Sequence, residues 1–140
     1  MNTEANPMSV EVTVSPMVDR IADLRVVVVL KNLGEAVLQL NTLSLRSPTT
    51  ALKMKGPDQN TLRPGPPPTP PIDDGQVGRV KLEPNQSITF RYSGYDYAAG
   101  RAFPAGNYQV MFRYENRHGQ HGDWLGTIES TWVSFQIRSL

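Results

Sequence analysis

Cysteine is absent from this 140-residue chain, which excludes disulfides, Cys-type zinc sites and thiol nucleophiles and leaves the core to hold without covalent staples. Charge of one sign is also missing. Fourteen Lys plus Arg against thirteen Asp plus Glu leave +1. That balance provides no broad basic field, so no nucleic-acid partner is expected. The longest apolar run, Val26 to Leu30, is far too short to span a bilayer, and no membrane insertion is expected. The first twenty residues lack a basic start followed by an apolar stretch and a small-residue cleavage site. The expectation is a cytoplasmic chain, or a periplasmic or extracellular one whose leader has been trimmed. Helical periodicity is lacking throughout, as are Gly-x-Gly-x-x-Gly, Gly-x-x-x-x-Gly-Lys-Ser/Thr and Gly-x-Ser-x-Gly. Nucleotide chemistry and serine hydrolysis therefore have no signature here. No cofactor and no enzymatic activity are expected.

What the chain does have is alternation of apolar and polar residues with a period of two. Met8, Val10, Val12 and Val14 alternate with Ser9, Glu11 and Thr13, a half-buried strand that Pro16 stops. Leu24 to Leu30 is apolar apart from Arg25, which suits a central strand covered on both faces, and it runs into the turn Asn32-Leu33-Gly34-Glu35. Leu38, Leu40, Leu43 and Leu45 follow, with a parity break at Asn41-Thr42, and Leu52 with Met54 makes another short strand. Val80 with Leu82, then Ile88, Phe90 and Tyr92, continue the pattern to a loop at Tyr92 to Gly100. Tyr108, Val110, Phe112 and Tyr114 give the cleanest alternation. A hairpin loop, Glu115 to Trp124, then leads to a last strand across Thr127 to Arg138 with Val133, Phe135 and Ile137 inward. Seven to nine strands without crossover helices predict a single all-β domain over 1–140, an antiparallel β-sandwich.

One stretch breaks the pattern. Seven of the twelve prolines lie between Pro57 and Pro71, so Gly56 to Gly78 is expected to be one long loop without a strand, with Arg63 to Pro71 extended as polyproline II. Phe103-Pro-Ala-Gly-Asn-Tyr108 has the pattern of a tyrosine corner, in which the phenol bonds back to upstream backbone. Tyr108 is accordingly read as structural.

The segments KNLGEAVLQL (Lys31 to Leu40), LEPNQSITFRY (Leu82 to Tyr92) and AGNYQVMFRYEN (Ala105 to Asn116) together resemble bacterial immunoglobulin-like accessory domains. Such domains precede the catalytic unit of deuterolysin-like metalloproteases, and similar sandwiches occur in BsuPI-type proteinase inhibitors. The resemblance covers Leu24 to Asn116, with Asn85 standing where Gly is usual. It implies a non-catalytic immunoglobulin-like sandwich. The chain has no His-Glu-x-x-His motif of its own.

Candidate sites follow from side-chain chemistry. Tyr92, Tyr95, Tyr97 and Phe103 concentrate rings around one Gly/Ala-rich loop, and tyrosines give contact area with few rotors to freeze. The opposing expectation is that these rings fold back to cap the sandwich. Arg63, Pro67 and Pro68 lie on a stiff loop whose prolines lower the ordering cost of docking, in a protease cleft for example. His118, His121 and Asp123 fall within six residues and are weighed as a metal site, but two intervening glycines favour a solvated hairpin tip and no metal is expected. Asp73 and Asp74 are adjacent and read as a solvated turn. Trp132 shares parity with Ser134 and Gln136, so it faces outward unless an irregularity near Ser130-Thr131 turns it inward, which is the expectation. Val27 and Val29 face opposite to Val26 and Val28 and call for a cover, the Pro-rich loop being the economical one.

The leading function is a binding or accessory module whose partner is another protein, with protease inhibition its sharpest form. The alternative is a structural subunit that self-associates through the strand edges Met8 to Val14 or Thr127 to Arg138. Carbohydrate binding through Trp124, Trp132 and the tyrosines ranks below both.

Overall fold

Pro16 divides the N-terminal strand in two, because a residue without an N–H cannot continue a ladder on both sides. The consequence runs through the whole architecture. The computed structural model describes residues 7–41, 52–62, 79–98, 103–117 and 122–138. Among these the strands are β1 (Met8–Val14), β2 (Met17–Val18), β3 (Arg25–Asn32), β4 (Leu38–Asn41), β5 (Leu52–Lys55), β6 (Thr61–Leu62), β7 (Arg79–Leu82), β8 (Ser87–Ser93), β9 (Gly106–Asn116), β10 (Gly126–Glu129) and β11 (Val133–Ile137). A 3-10 turn at Ile21–Asp23 and a single-turn helix α1 at Tyr95–Ala98 complete them. The fold is all-β. No helix among the described residues is long and apolar enough to cross a membrane.

One sheet has the order β1-β3-β8, a second the order β2-β11-β9-β5-β6 with β10 also on β9, and β4 pairs β7. The halves of the N-terminal segment thus serve different sheets: β1 is antiparallel to β3, and β2 is parallel to β11. The parallel pairing departs from the purely antiparallel expectation. It arises because the chain after Pro16 crosses to the neighbouring sheet without reversing, and Pro16 itself accepts from the Gln136 amide at 3.0 Å.

The inward faces follow the alternation. Val26, Val28 and Leu30 from β3, Leu52 and Met54 from β5, and Tyr108, Val110, Phe112 and Tyr114 from β9 join one buried cluster with Leu40, Leu82, Ile128, Phe135 and Ile137. Each fully buried aliphatic or phenyl side chain there contributes about 1.5–3 kcal/mol relative to exposure. Tyr108 stacks on Phe135 with centroids 5.4 Å apart, and its hydroxyl donates to the Pro104 carbonyl at 2.6 Å, four residues upstream. Burial, and next the charge of Asp58, raise that phenol's pKa above its ordinary value.

Three segments differ from the sequence pattern. The strand expected across Thr127 to Arg138 is two strands, because the Ser130 hydroxyl accepts from the Phe112 amide at 2.9 Å while the Ser130 amide donates to the Phe112 carbonyl at 2.9 Å. A side-chain oxygen replaces a backbone carbonyl, and the chain is re-aimed. The stretch from Gly56 does contain a strand: Gln59 adopts φ 67°, and β6 returns to pair with β5. The loop after Tyr92 contains α1. The Pro-rich residues Arg63, Pro67, Pro68, Asp73 and Asp74, and also Leu43 and Leu45, lie outside the described residues.

Candidate functional site

The two ends of the molecule are closed in different ways, and each displays apolar side chains. At one end the strand β3 stops at Asn32, whose side chain is fully buried. Its amide nitrogen donates to the carbonyls of Ala36 and Leu82, both at 2.9 Å, and its amide oxygen accepts from the Gly34 N–H at 2.9 Å. Its own backbone is paired too, donating to Gln86 and accepting from Asn85. One side chain therefore fixes the turn from β3 to β4 and joins it to the turn from β7 to β8. Asn85 holds φ 67° in that second turn, which explains why Asn stands there: of the residues with a side chain, Asn tolerates the left-handed region well.

The fixed turn carries Leu33 and Val37, 56% and 52% exposed. A third exposed apolar residue, Leu125, is brought to the same end because the Trp124 amide donates to the Gln39 carbonyl at 2.7 Å. The support beneath is polar and aromatic. Asp123 is buried, accepting from Arg79 Nε at 3.0 Å and from the Gln39 side-chain Nε2 at 2.9 Å. Trp124 stacks on Tyr114 with centroids 5.9 Å apart, and its carbonyl accepts from Asn116. Gly126, at φ 152°, is required beside it, because a Cβ there would lie 2.6 Å from the indole. Burial raises the Tyr114 pKa, the Asn41 amide opposes the shift and the Asp123 charge adds to it. Asp123, weighed as a metal ligand, is thus committed to a guanidinium and an amide. Among the described residues no three His, Cys, Asp or Glu side chains stand together as a metal group, while His118 and His121 lie outside those residues.

The opposite end is closed by packing. Of the four rings expected at the loop, Tyr92 and Tyr97 are buried, Phe103 packs partly against the core, and Tyr95 alone is open at 72% exposure. Of the two expectations for these rings, Tyr92 and Tyr97 follow the one in which they fold back onto the sandwich, and Tyr95 is left facing outward. The physical reason is α1, which turns Tyr97 inward so that its hydroxyl donates to the Leu52 carbonyl at 3.0 Å. Burial pushes the Tyr92 pKa far above its ordinary value. Tyr95 is held from behind: Ser93 Oγ accepts from the Tyr95 amide at 3.1 Å and from the Arg25 guanidinium at 3.2 Å. The same guanidinium donates to the Leu24 and Ala22 carbonyls. Gly94 permits this approach, since a Cβ on it would sit 2.0 Å from the Ile21 carbonyl oxygen.

Trp132 belongs to neither end. It is half-buried and outside the core cluster, with Lys55 Nζ 4.1 Å from its ring centroid. The irregularity at Ser130 is present, yet it does not carry the indole inward as expected. Trp124, by contrast, packs against the core and on Tyr114. Leu33, Val37, Leu125 and Arg25 were not among the residues singled out from the sequence. The signal for the first two was legible, since apolar residues in a turn that belongs at the surface have no core to face.

No protein-family model matches the chain, and no curated protein matches it. Among solved structures it is similar to part of a β-glucosidase from Erythrobacter marinus, at 15% identity and a TM-score of 0.46. That likeness covers 94% of this chain but only 15% of the glucosidase, and it carries no functional inference.

Proposed function

We propose that the chain is an immunoglobulin-like, non-enzymatic binding or accessory module whose partner is a protein. The immunoglobulin-like reading is supported by the first strand switching sheets at Pro16, by β2 running parallel to the last strand, and by the Tyr108 hydroxyl bonding to Pro104. The binding reading rests on one observation: Leu33, Val37 and Leu125 are more than half exposed on segments that hydrogen bonds hold in place. Apolar side chains on a preorganised turn lose little entropy on docking, and such patches mark protein interfaces. Tyr95, backed by Arg25, offers a second contact of the type that dominates interface energetics. In its narrower form the module inhibits a protease.

A photo-crosslinking residue at position 37, compared with one at exposed Lys53, tests the reading in source cells. It predicts an adduct with a defined protein from position 37 and none from position 53. No adduct from either site, or equal adducts from both, contradicts it. Saturable inhibition of one enzyme in a panel of metallo-, serine and cysteine proteases, lost in Leu33→Ser, would support the narrower form.

A second reading, a structural subunit, is favoured by the edge of β1, which pairs only with β3 among the described residues. The other edge considered, Thr127 to Arg138, supports it less, because β11 lies between β9 and β2.

A further inference from the structure

Among the described residues the three-stranded sheet ends in two strands with no further ladder partner, β1 and β8, and their backbone parity can be read from the bonds beside them. Ser15 donates to Arg25 and Leu33 to Pro7, so the odd residues of β1 bond toward β3 and Val10, Val12 and Val14 turn their N–H and C=O groups outward. Gly94 donates to Leu24 and Asn32 to Gln86, so the even residues of β8 bond toward β3 and Ser87, Thr89 and Arg91 present theirs outward. Side chains add a second rule. Val10, Val12, Ile88 and Phe90 pack toward the core, whereas Glu11, Thr13, Thr89 and Arg91 are exposed on the other face. Neither Glu11 nor Arg91 has an ion-pair or hydrogen-bond partner through its side chain in the described chain.

We infer that a second copy of this chain adds its β1 to β8 in parallel, with Val10 of the incoming copy level with Phe90 and its Glu11 beside Arg91. This rests on the structural-subunit reading and names its partner and register. In a parallel ladder a residue bonds to the two neighbours of the residue it faces, so an outward-bonding Val10 must face an inward-bonding residue. Phe90 is one. Val10 then donates to the Thr89 carbonyl and accepts from the Arg91 amide, and Val12 does the same with Arg91 and Ser93. Both side-chain faces remain matched, with apolar residues continuing the core side. An antiparallel β1-to-β8 pairing that uses the same outward groups would set Val12 opposite an exposed-face residue and reverse the faces. A twofold pairing of β1 with itself across its full length sets Glu11 against Glu11, which like-charge repulsion disfavours.

The proposed register instead places a carboxylate about 4.8 Å across the ladder from a guanidinium-bearing residue. Because the two edges differ, the contact is head-to-tail and does not close on two copies; it grows into rings or filaments.

Sedimentation velocity on the intact chain, over about a hundredfold range of concentration, tests this with exposed-site variants whose folding circular dichroism can verify. The expected result is assembly beyond a dimer. Glu11→Arg and Arg91→Glu each weaken it about tenfold, and the two together restore it. A monomer throughout overturns both this inference and the subunit reading. Assembly indifferent to both substitutions overturns the inference alone, and so does a closed dimer.

Discussion

The two ends of the molecule solve the same problem with opposite chemistry. At the Asn32 end, turns are held by directional bonds from one buried amide to three different backbone groups. At the Tyr95 end, the backbone is held by close contact, with Gly94 against the Ile21 carbonyl and Tyr97 seated in the core. The difference teaches which changes each end tolerates. A directional closure survives a change of volume but not the loss of donors, whereas a packed closure survives loss of a single donor but not the addition of an atom.

Substitutions can break that comparison. Gly94→Ala carries the largest expected effect, about 3–4 kcal/mol lost in denaturant unfolding, because the new methyl overlaps a backbone oxygen that no side-chain rotation can move aside. Asn32→Leu nearly preserves volume yet leaves two carbonyls and an N–H without partners, and it should cost about 2–4 kcal/mol. If Asn32→Leu were neutral, the claim of directional closure would fail. Tyr97→Phe keeps the ring and removes one bond, to the Leu52 carbonyl, for a loss of about 1–1.5 kcal/mol.

Alkaline pH sharpens the contrast without mutation. Burial raises the pKa of Tyr92 and Tyr108 at the packed end and of Tyr114 at the other. A phenol whose folded pKa is raised contributes stability that is fully present below its unfolded value, 10.0, and is lost as pH rises through and beyond it. Stability measured by denaturant midpoint should therefore decline above that pH, and Tyr92→Phe should flatten the decline more than Tyr114→Phe. The smallest expected effects belong to Tyr95→Ser and Leu33→Ser, within about 0.5 kcal/mol of the parent, because these side chains are spent on neither closure.

Much of the fold was legible in the sequence for a simple reason: alternation records which face a strand buries. β1, β5, β7, β8 and β9 fall where apolar residues recur at every second position, and β3 falls on the run Leu24 to Leu30, apolar apart from Arg25. The tyrosine corner was legible because Pro, Gly and Tyr occupy fixed offsets. The failures share a different cause. The break at Ser130 depends on a hydroxyl that substitutes for a carbonyl of another strand, and the inward turn of Tyr97 depends on a one-turn helix seated against Ile21 and Leu24. Neither has a local period. β6 was hidden because two residues are too few to alternate and Pro57 announces a loop. Among the candidate residues, Tyr95 was legible as a ring on a Gly/Ala-rich loop. Leu33, Val37 and Leu125 were passed over because strand reading has no place for apolar residues between strands.

The central claim is that both ends are ordered before any partner arrives. Amide hydrogen exchange on the free chain measures this at the amides of Gly34, Asn85, Gly94, Tyr97 and Trp124, each of which donates to a group within the chain. The account predicts protection at all five, approaching that of the β3 and β9 amides. Exchange at unprotected rates at Gly34 and Tyr97, with β3 and β9 still protected, would mean that the ends are loose and would contradict it.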